Sequence, residues 1–496
     1  MWRFWGMKGP AARLRWLCTA SITVVGLALL PVGASASGGG TPMTCITEAT
    51  GTLLCTGATA EKNSTLLAQY QIEVPAHWNG TLALYSHGYN SFTVPLPPQD
   101  AGDPVTGDYL LSQGYALAGS AYARAGWSLQ QAFEDQIALL DLFGITFGKP
   151  QRTIAWGHSL GGMITAGLVQ LFPDRFTAAL PMCGVVAGGP GVWNQGLDSE
   201  LAITTLLPQI PFKIINFTGD AAVNYGKALA ALALAQKTPQ GRARIALSAA
   251  LADVPGWVDP ASPEPAARDY VTQEANQALW DSNIDFLFAF FGRAELEARA
   301  GGQFSWNTGV DYRVQLSHST DRAEVKALYA AAGLDLNKDL DKLNATPRIA
   351  ADPAAAAYVA KYIAYNGELN MPVLTMHTTG DGLVEVTDEN AYASVVRSAG
   401  DNNLLRQVFV HRAGHCTFTP AETISAFKTL VQRIDTGRWE DSTSPAAMNA
   451  SAANLGPGFN FIVAGTPAHV IPTAPSFLNF HPDKFLRPFD ARNLEE

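Results

Sequence analysis

The sequence predicts an α/β fold: a mostly parallel sheet with helices on both faces and a large helical insertion. Three observations carry that reading. Strand and helix patterns alternate β-α-β-α-β up to residue 186, the order of parallel strands joined by crossover helices. At residues 152–171, RTIAWGHSLGGMITAGLVQL, a short apolar strand passes through glycines into an amphipathic helix. From residue 188 to 370 only Ala-rich and aromatic helical patterns follow, and a strand pattern resumes at Met371.

The first 36 residues read as a secretory signal peptide, not as fold. Arg3, Lys8, Arg13 and Arg15 form a basic start, residues 16–30 an apolar run short for a membrane span, and Ala34-Ser35-Ala36 a small-residue cleavage site. An uncleaved anchor is the alternative; cleavage gives a secreted, extracellular protein with no stable membrane anchor. Without this segment 29 basic residues stand against 43 acidic ones, a net charge near −14. A chain so acidic, with no basic run, excludes nucleic acid and anionic lipid surfaces as partners. Oligomeric state is not legible.

Four cysteines remain after cleavage, Cys45, Cys55, Cys183 and Cys416, and they allow three connectivities. Cys45 and Cys55 flank a turn-like segment, which favours a local bridge and leaves Cys183 for Cys416. Free buried thiols are the alternative. No Cys/His cluster has metal-ligand spacing, so no metal or cofactor is expected.

Residues 67–74 read as a strand, and Asn79-Gly80 turns the chain into another at 81–86, which ends at His87-Gly88-Tyr89. A short helix at 108–113 precedes a small-residue strand at 116–121. Tyr122 and Trp127 lie just past that strand's C-terminal end, where open α/β sheets bind ligands, and are candidates to line a pocket. Phe133, Ile137 and Leu140 mark a helix packed on the sheet, and a strand at 176–186 carries Cys183. Helical segments at 222–237, 242–252, 266–300, 322–332 and 353–365 make up the insertion; the apolar run 284–291, IDFLFAFF, reads as its own core. Strands at 371–377 and 406–410 follow. Thr419-Pro420-Ala421-Glu422 is a capping box that opens a helix with Ile424, Phe427, Val431 and Ile434 on its buried face. Residues 442–496 read as an extended tail. The expected organisation is 37–187 and 371–440 for the core, 188–370 for a cap and 441–496 for the tail.

Gly157-His158-Ser159-Leu160-Gly161 matches G-x-S-x-G, and its strand–turn–helix context marks a nucleophile elbow. The serine must sit on a sharp turn, so Gly157, Gly161 and Gly162 let strand and helix approach. The helix N-terminus then points free N–H groups at the oxyanion position. A serine hydroxyl is a weak nucleophile near neutral pH; it needs an imidazole to take its proton and a carboxylate to fix the imidazole's tautomer. Ser159, Asp381 and His415 follow in that chain order, each just after an expected strand. Glu385 or Asp388 in place of Asp381, and His411 in place of His415, are the competitors.

These pieces, HGY at 87–89, GHSLGG at 157–162, GDGLV at 380–384 and GHC at 414–416, resemble the α/β-hydrolase superfamily over about residues 65–186 and 371–436. The resemblance implies Ser159 as nucleophile, His415 as general base, Asp381 as its orienter, and the backbone N–H groups of Tyr89 and Leu160 as oxyanion donors. Glu385 departs from the proline often found after D-x-x-V. The stretch from Tyr122 through the elbow also resembles prolyl-oligopeptidase-type peptidases, although no β-propeller precedes it. The expected function is hydrolysis of a small-molecule or polymeric carboxylic ester. The alternative is an aminopeptidase or amidase, which would need a fixed charge in the pocket; Glu274, Glu295 and Glu297 are the acidic cap residues considered for it. A complete triad argues against a purely non-catalytic binding protein.

Overall fold

The computed structural model describes residues 41–60, 65–90, 92–465 and 468–489; the expected signal peptide lies outside them. Three strands open the fold, β1 (Thr44–Thr47), β2 (Leu53–Ala60) and β3 (Leu67–Val74). The hairpin of β1 and β2 pairs Cys45 directly with Cys55, and these two form a disulfide. Then come β4 (Thr81–Ser86), helix α1 (Pro104–Ser112), β5 (Ala116–Ser120), α2 (Leu129–Phe147), β6 (Arg152–His158), α3 (Leu160–Leu171) and β7 (Ala178–Met182). β8 (Val373–Gly380) and β9 (Leu405–Ala413) complete the parallel part.

The sheet runs β1-β2-β3-β5-β4-β6-β7-β8-β9, with a two-residue strand of the tail, Phe477–Leu478, antiparallel on its far edge. β5, β4, β6, β7, β8 and β9 are mutually parallel, while β1 to β3 are antiparallel. The central strands are short apolar runs buried on both faces, as a parallel sheet covered by helices requires. Period two sorts their side chains. Ile154 and Trp156 face the cluster that contains Leu110 of α1 and Phe427, whereas Ala155 faces α2 and α3 through Phe133 and Ile164. Phe427 belongs to the capped helix after β9, Pro420–Thr436, where the Thr419–Glu422 capping box forms.

Between β7 and β8 the chain is helical, as expected, but its divisions differ. The helix Gly189–Leu206 was not expected; its glycines and proline obscure the apolar period at its start. The expected single helix at 266–300 is instead Tyr270–Trp280, two short π-helical turns at Asp281–Asp285 and Phe288–Gly292, and Arg293–Ala300. Such widened turns expose side chains that a regular helix would direct elsewhere, and they recur at functional sites. The IDFLFAFF run divides accordingly. Phe290 packs in the insertion's core with Phe212 and Phe217, while Phe286 and Phe288 line a cavity. The tail is more ordered than expected, with a helix at Pro445–Ala453, a hairpin of Phe461–Ala464 with His469–Pro472, and the edge strand.

Pairing fixes the functional end of the sheet. Ser86 lies beside Gly157, His158 beside Met182, Met182 beside Met376, and Gly380 beside Ala413. The residues that follow these positions therefore gather along one edge: Gly88, Ser159, Cys183, Asp381 and His415.

Candidate active site

Ser159 has φ 59° and ψ −126° between β6 and α3. A left-handed φ in a residue with a Cβ costs on the order of 1–3 kcal/mol and persists only where the surroundings enforce it. Here the enforcement is close backbone packing. A Cβ on Gly161 would lie 1.9 Å from the Ser86 carbonyl oxygen, one on Gly157 2.4 Å from the same oxygen, and one on Gly162 2.7 Å from Gly184 Cα. A Cβ on Gly88 would lie 3.1 Å from Ser159 Cβ, so the end of β4 sits against the serine.

The Ser159 hydroxyl donates to His415 Nε2 at 2.7 Å, and His415 Nδ1 donates to Asp381 Oδ2 at 2.8 Å. Asp381 is buried, and its Oδ1 accepts the backbone N–H groups of Leu383 and Val384, both at 3.1 Å. With the proton on Nδ1 held by Asp381, Nε2 is the basic nitrogen facing the serine. Burial alone would raise the Asp381 carboxyl, but His415 and His377 outweigh it and bring it to about 2. His377 lies behind the carboxylate, with Nε2 3.6 Å from Asp381 Oδ2, 2.9 Å from the Val384 carbonyl, and Nδ1 3.2 Å from Glu389 Oε1. Burial disfavours its charge; the carboxylates of Asp381 and Glu389 beside it prevail and raise it to about 10. His158, beside the serine, is held neutral down to about 4 by burial and by proximity to His415. Its Nδ1 meets the Tyr85 hydroxyl at 3.1 Å.

Cys183 and Cys416 are joined, with Cα atoms 5.4 Å apart. Cys416 Sγ is 3.3 Å from His415 Nε2, so the bridge ties the histidine loop to the end of β7.

A cavity of about 140 Å³ opens beside Ser159, Leu160 and Tyr89 and runs under the cap. Trp127 lines it. Tyr122 does not. Its ring is buried, stacks on His87 at 4.0 Å, and its hydroxyl donates to the His87 carbonyl at 3.1 Å. Its φ of 54° turns it into the core beneath the end of β4 instead of over the sheet edge. Of the competitors, His411 meets Glu264 at the surface at 2.9 Å, and Asp388 accepts the Ala187 N–H at 3.0 Å. Glu385 lines the cavity, and the carboxylate bonded to His415 is that of Asp381.

The acidic cap residues considered from the sequence have structural partners. Glu295 accepts the Trp127 N–H at 2.9 Å and pairs with Arg299, Glu297 accepts the N–H groups of Asn216 and Phe217, and Glu274 meets Gln236. The acids that line the cavity are Glu200, Asp281, Asp285 and Glu385. The sequence held one signal for them: two aspartates four residues apart that open the otherwise apolar run ending at Phe291. His377, at the end of β8, had none beyond its proximity to Asp381.

The parallel sheet, the elbow and the Ser159–His415–Asp381 hydrogen-bond relay have the architecture of the α/β-hydrolase fold, and the arrangement is that of a serine hydrolase. The prolyl oligopeptidase family model matches residues 112–188, from the end of α1 through the elbow to just past β7. Over 442 residues the chain is 29% identical to an o-phthalyl amidase of Xanthobacter agilis, spanning 80% of this chain and 91% of that protein. Similar solved structures include feruloyl esterase B from Aspergillus oryzae, 12% identical with TM-score 0.41, covering 81% of this chain and 88% of that one. Another is an esterase from Aspergillus oryzae, 12% identical with TM-score 0.42, covering 87% and 89%.

Proposed function

We propose that this is a secreted hydrolase of small carboxylic acyl groups, acting through an acyl-enzyme on Ser159. The observation that carries the reading is the relay of 2.7 and 2.8 Å that joins Ser159, His415 and Asp381. His415 takes the serine proton as Oγ attacks the carbonyl, and returns it to the departing alcohol or amine. Asp381 holds the imidazole's tautomer and stabilises its charged form. The backbone N–H groups of Tyr89 and Leu160, both at the cavity wall beside Ser159, are the proposed oxyanion donors. Water then cleaves the acyl-enzyme by the same base.

The cavity's volume supports a small group, since a void of about 150 Å³ lined by apolar side chains holds one benzene ring. The insertion between β7 and β8 acts as the cap that shapes this space, with 188–370 and the flanking core segments as functional domains. Export is supported by two disulfides, which persist in oxidising compartments. Among the described residues no helix is long and apolar enough to cross a membrane.

Ester hydrolysis is the less demanding chemistry for this relay. Amide hydrolysis is the second reading, favoured by the likeness to an o-phthalyl amidase. Secreted protein assayed on matched p-nitrophenyl esters and p-nitroanilides of the same small acids separates the two. Ser159→Ala is expected to lower kcat on either by on the order of 10⁴-fold or more while the protein stays folded. Wild-type turnover in a folded variant removes Ser159 from the mechanism.

A further inference from the structure

We propose that the cap cavity receives a cationic part of the substrate, an ammonium, amidinium or guanidinium on a small apolar body. This rests on the serine-hydrolase reading above and specifies which substrates that hydrolase takes.

Four carboxylates line the cavity: Glu200 from Gly189–Leu206, Asp281 and Asp285 from the first π-helical turn, and Glu385 from the loop after Asp381. Asp281 is only 3% exposed, yet its Oδ2 has no hydrogen-bond partner. Glu200 is 6% exposed and its Oε2 has no hydrogen-bond partner. Both oxygens of Asp285 are in the same condition. The four also repel one another in series. Asp281 acts on Glu200 and on Asp285, and Asp285 acts on Glu385. Burial, helped by Glu297 and Asp281 and opposed by Arg293, brings Glu200 to about 8, and burial with Glu274 brings Asp281 to about 7.

The cation beside Glu200 is Arg293, which also has other partners. Arg293 Nε is 3.7 Å from Glu200 Oε2, but Nη1 donates to Ser305 at 2.7 Å and the guanidinium lies over the Trp193 and Phe304 rings. Arg293 is fully buried and does not line the cavity. No lysine, arginine or histidine is among the lining residues.

Buried carboxylates without partners cost several kcal/mol each unless they protonate or meet a counter-charge. A folded protein tolerates that cost where a ligand relieves it. The remaining walls choose the ligand's character. Tyr89, Trp127, Trp193, Phe286 and Phe288 present aromatic surface, which attracts organic cations by their ring faces and covers an apolar body. Among the described residues no group of His, Cys, Asp and Glu is arranged to hold a metal ion. The geometry therefore favours an organic cation, with the reacting carbonyl at Ser159 and the charge toward Asp281 and Asp285.

The test is protection of Ser159 from a fluorophosphonate probe, with the purified full-length secreted protein. Three protectants of similar size are compared: benzylammonium, benzyl alcohol and benzoate. Benzylammonium is expected to protect at concentrations at least about tenfold lower than benzyl alcohol, and benzoate to protect least, because a buried charge-assisted contact is about twice as strong as a neutral one. Folded Asp281→Asn/Asp285→Asn protein, or Glu385→Gln if that pair does not fold, is expected to bring the ammonium-to-alcohol ratio toward one. Labelling of Ser159 with equal protection by the alcohol, or better protection by benzoate, overturns the proposal and leaves the hydrolase reading intact. An advantage for the cation that survives unchanged in the folded variants also overturns it, since the carboxylates would not be its source. Absence of labelling removes the hydrolase reading and this inference with it.

Discussion

Asp381 stands between two histidines that use it differently. His415 shares its Oδ2 through a hydrogen bond of 2.8 Å, whereas His377 faces the same oxygen at 3.6 Å and is anchored by Glu389 and the Val384 carbonyl. The nearer contact can orient an imidazole; the farther one supplies a fixed positive charge. Burial would otherwise favour a neutral Asp381, and the two histidines keep it ionised across the working pH range. Asp381→Asn keeps the shape but removes the acceptor that selects the Nδ1–H tautomer of His415. It is expected to lower kcat on the order of 10⁴-fold, with the fold and the KM changed little, because the loss falls on the transition state. Steady-state kinetics with a p-nitrophenyl ester, beside a circular dichroism melt, checks this. Activity within about tenfold of wild type would transfer the orienting role to another acid.

At the scale of elements, one disulfide joins the residue after β7 to the histidine loop. Cys183 follows β7 and Cys416 follows His415, 233 residues apart in sequence, so the bridge encloses the whole cap. Chain entropy assigns such a loop roughly 5–6 kcal/mol of stabilisation, less any strain. Its catalytic consequence is more local. With Cys416 Sγ 3.3 Å from His415 Nε2, releasing the bridge frees the residue next to the proposed general base. Mild reduction is therefore expected to lower kcat before tryptophan fluorescence reports unfolding. Activity and fluorescence followed together against reductant concentration decide it; coincident loss would mean that the bridge serves stability alone.

For the whole molecule, buried acids set the pH dependence of stability. Burial raises Asp253 to about 7, Asp388 to about 8 and Glu324 to about 9, beside Glu200 and Asp281 in the cavity. In the unfolded chain these groups ionise near pH 4. Between there and their folded values the native state binds more protons, so their contribution is present at low pH and declines as pH rises through about 7 to 9. His377, raised to about 10, acts in the same direction, its contribution being present below about 6.5 and lost toward its folded value. Asp381 opposes them only at the acid extreme, as pH falls through about 2. Urea denaturation is thus expected to show a lower midpoint at about pH 9 than at about pH 5. A midpoint that rises over that interval would contradict these assignments.

The sequence by itself determined what local chemistry can specify. The elbow was legible because a glycine is the one residue that permits the approach at Gly157, Gly161 and Gly162. The parallel strands were legible because apolar runs buried on both faces have no polar alternation to confuse them. Chain order alone placed Ser159, Asp381 and His415 at strand ends. Tertiary structure decided what depends on distant segments meeting. Tyr122 follows a strand as Trp127 does, but only packing on His87 shows that it turns inward. Glu200, Asp281, Asp285 and Glu385 are spread over nearly two hundred residues, with only the Asp281/Asp285 pair marked in its own window, and become one cavity wall only when the cap folds over the sheet. Cap acids near in sequence, Glu295 and Glu297, went instead to backbone N–H groups. Local pattern fixes which conformations a segment can adopt; the charge that a substrate meets is a sum over neighbours in space, and no single window of sequence contains it.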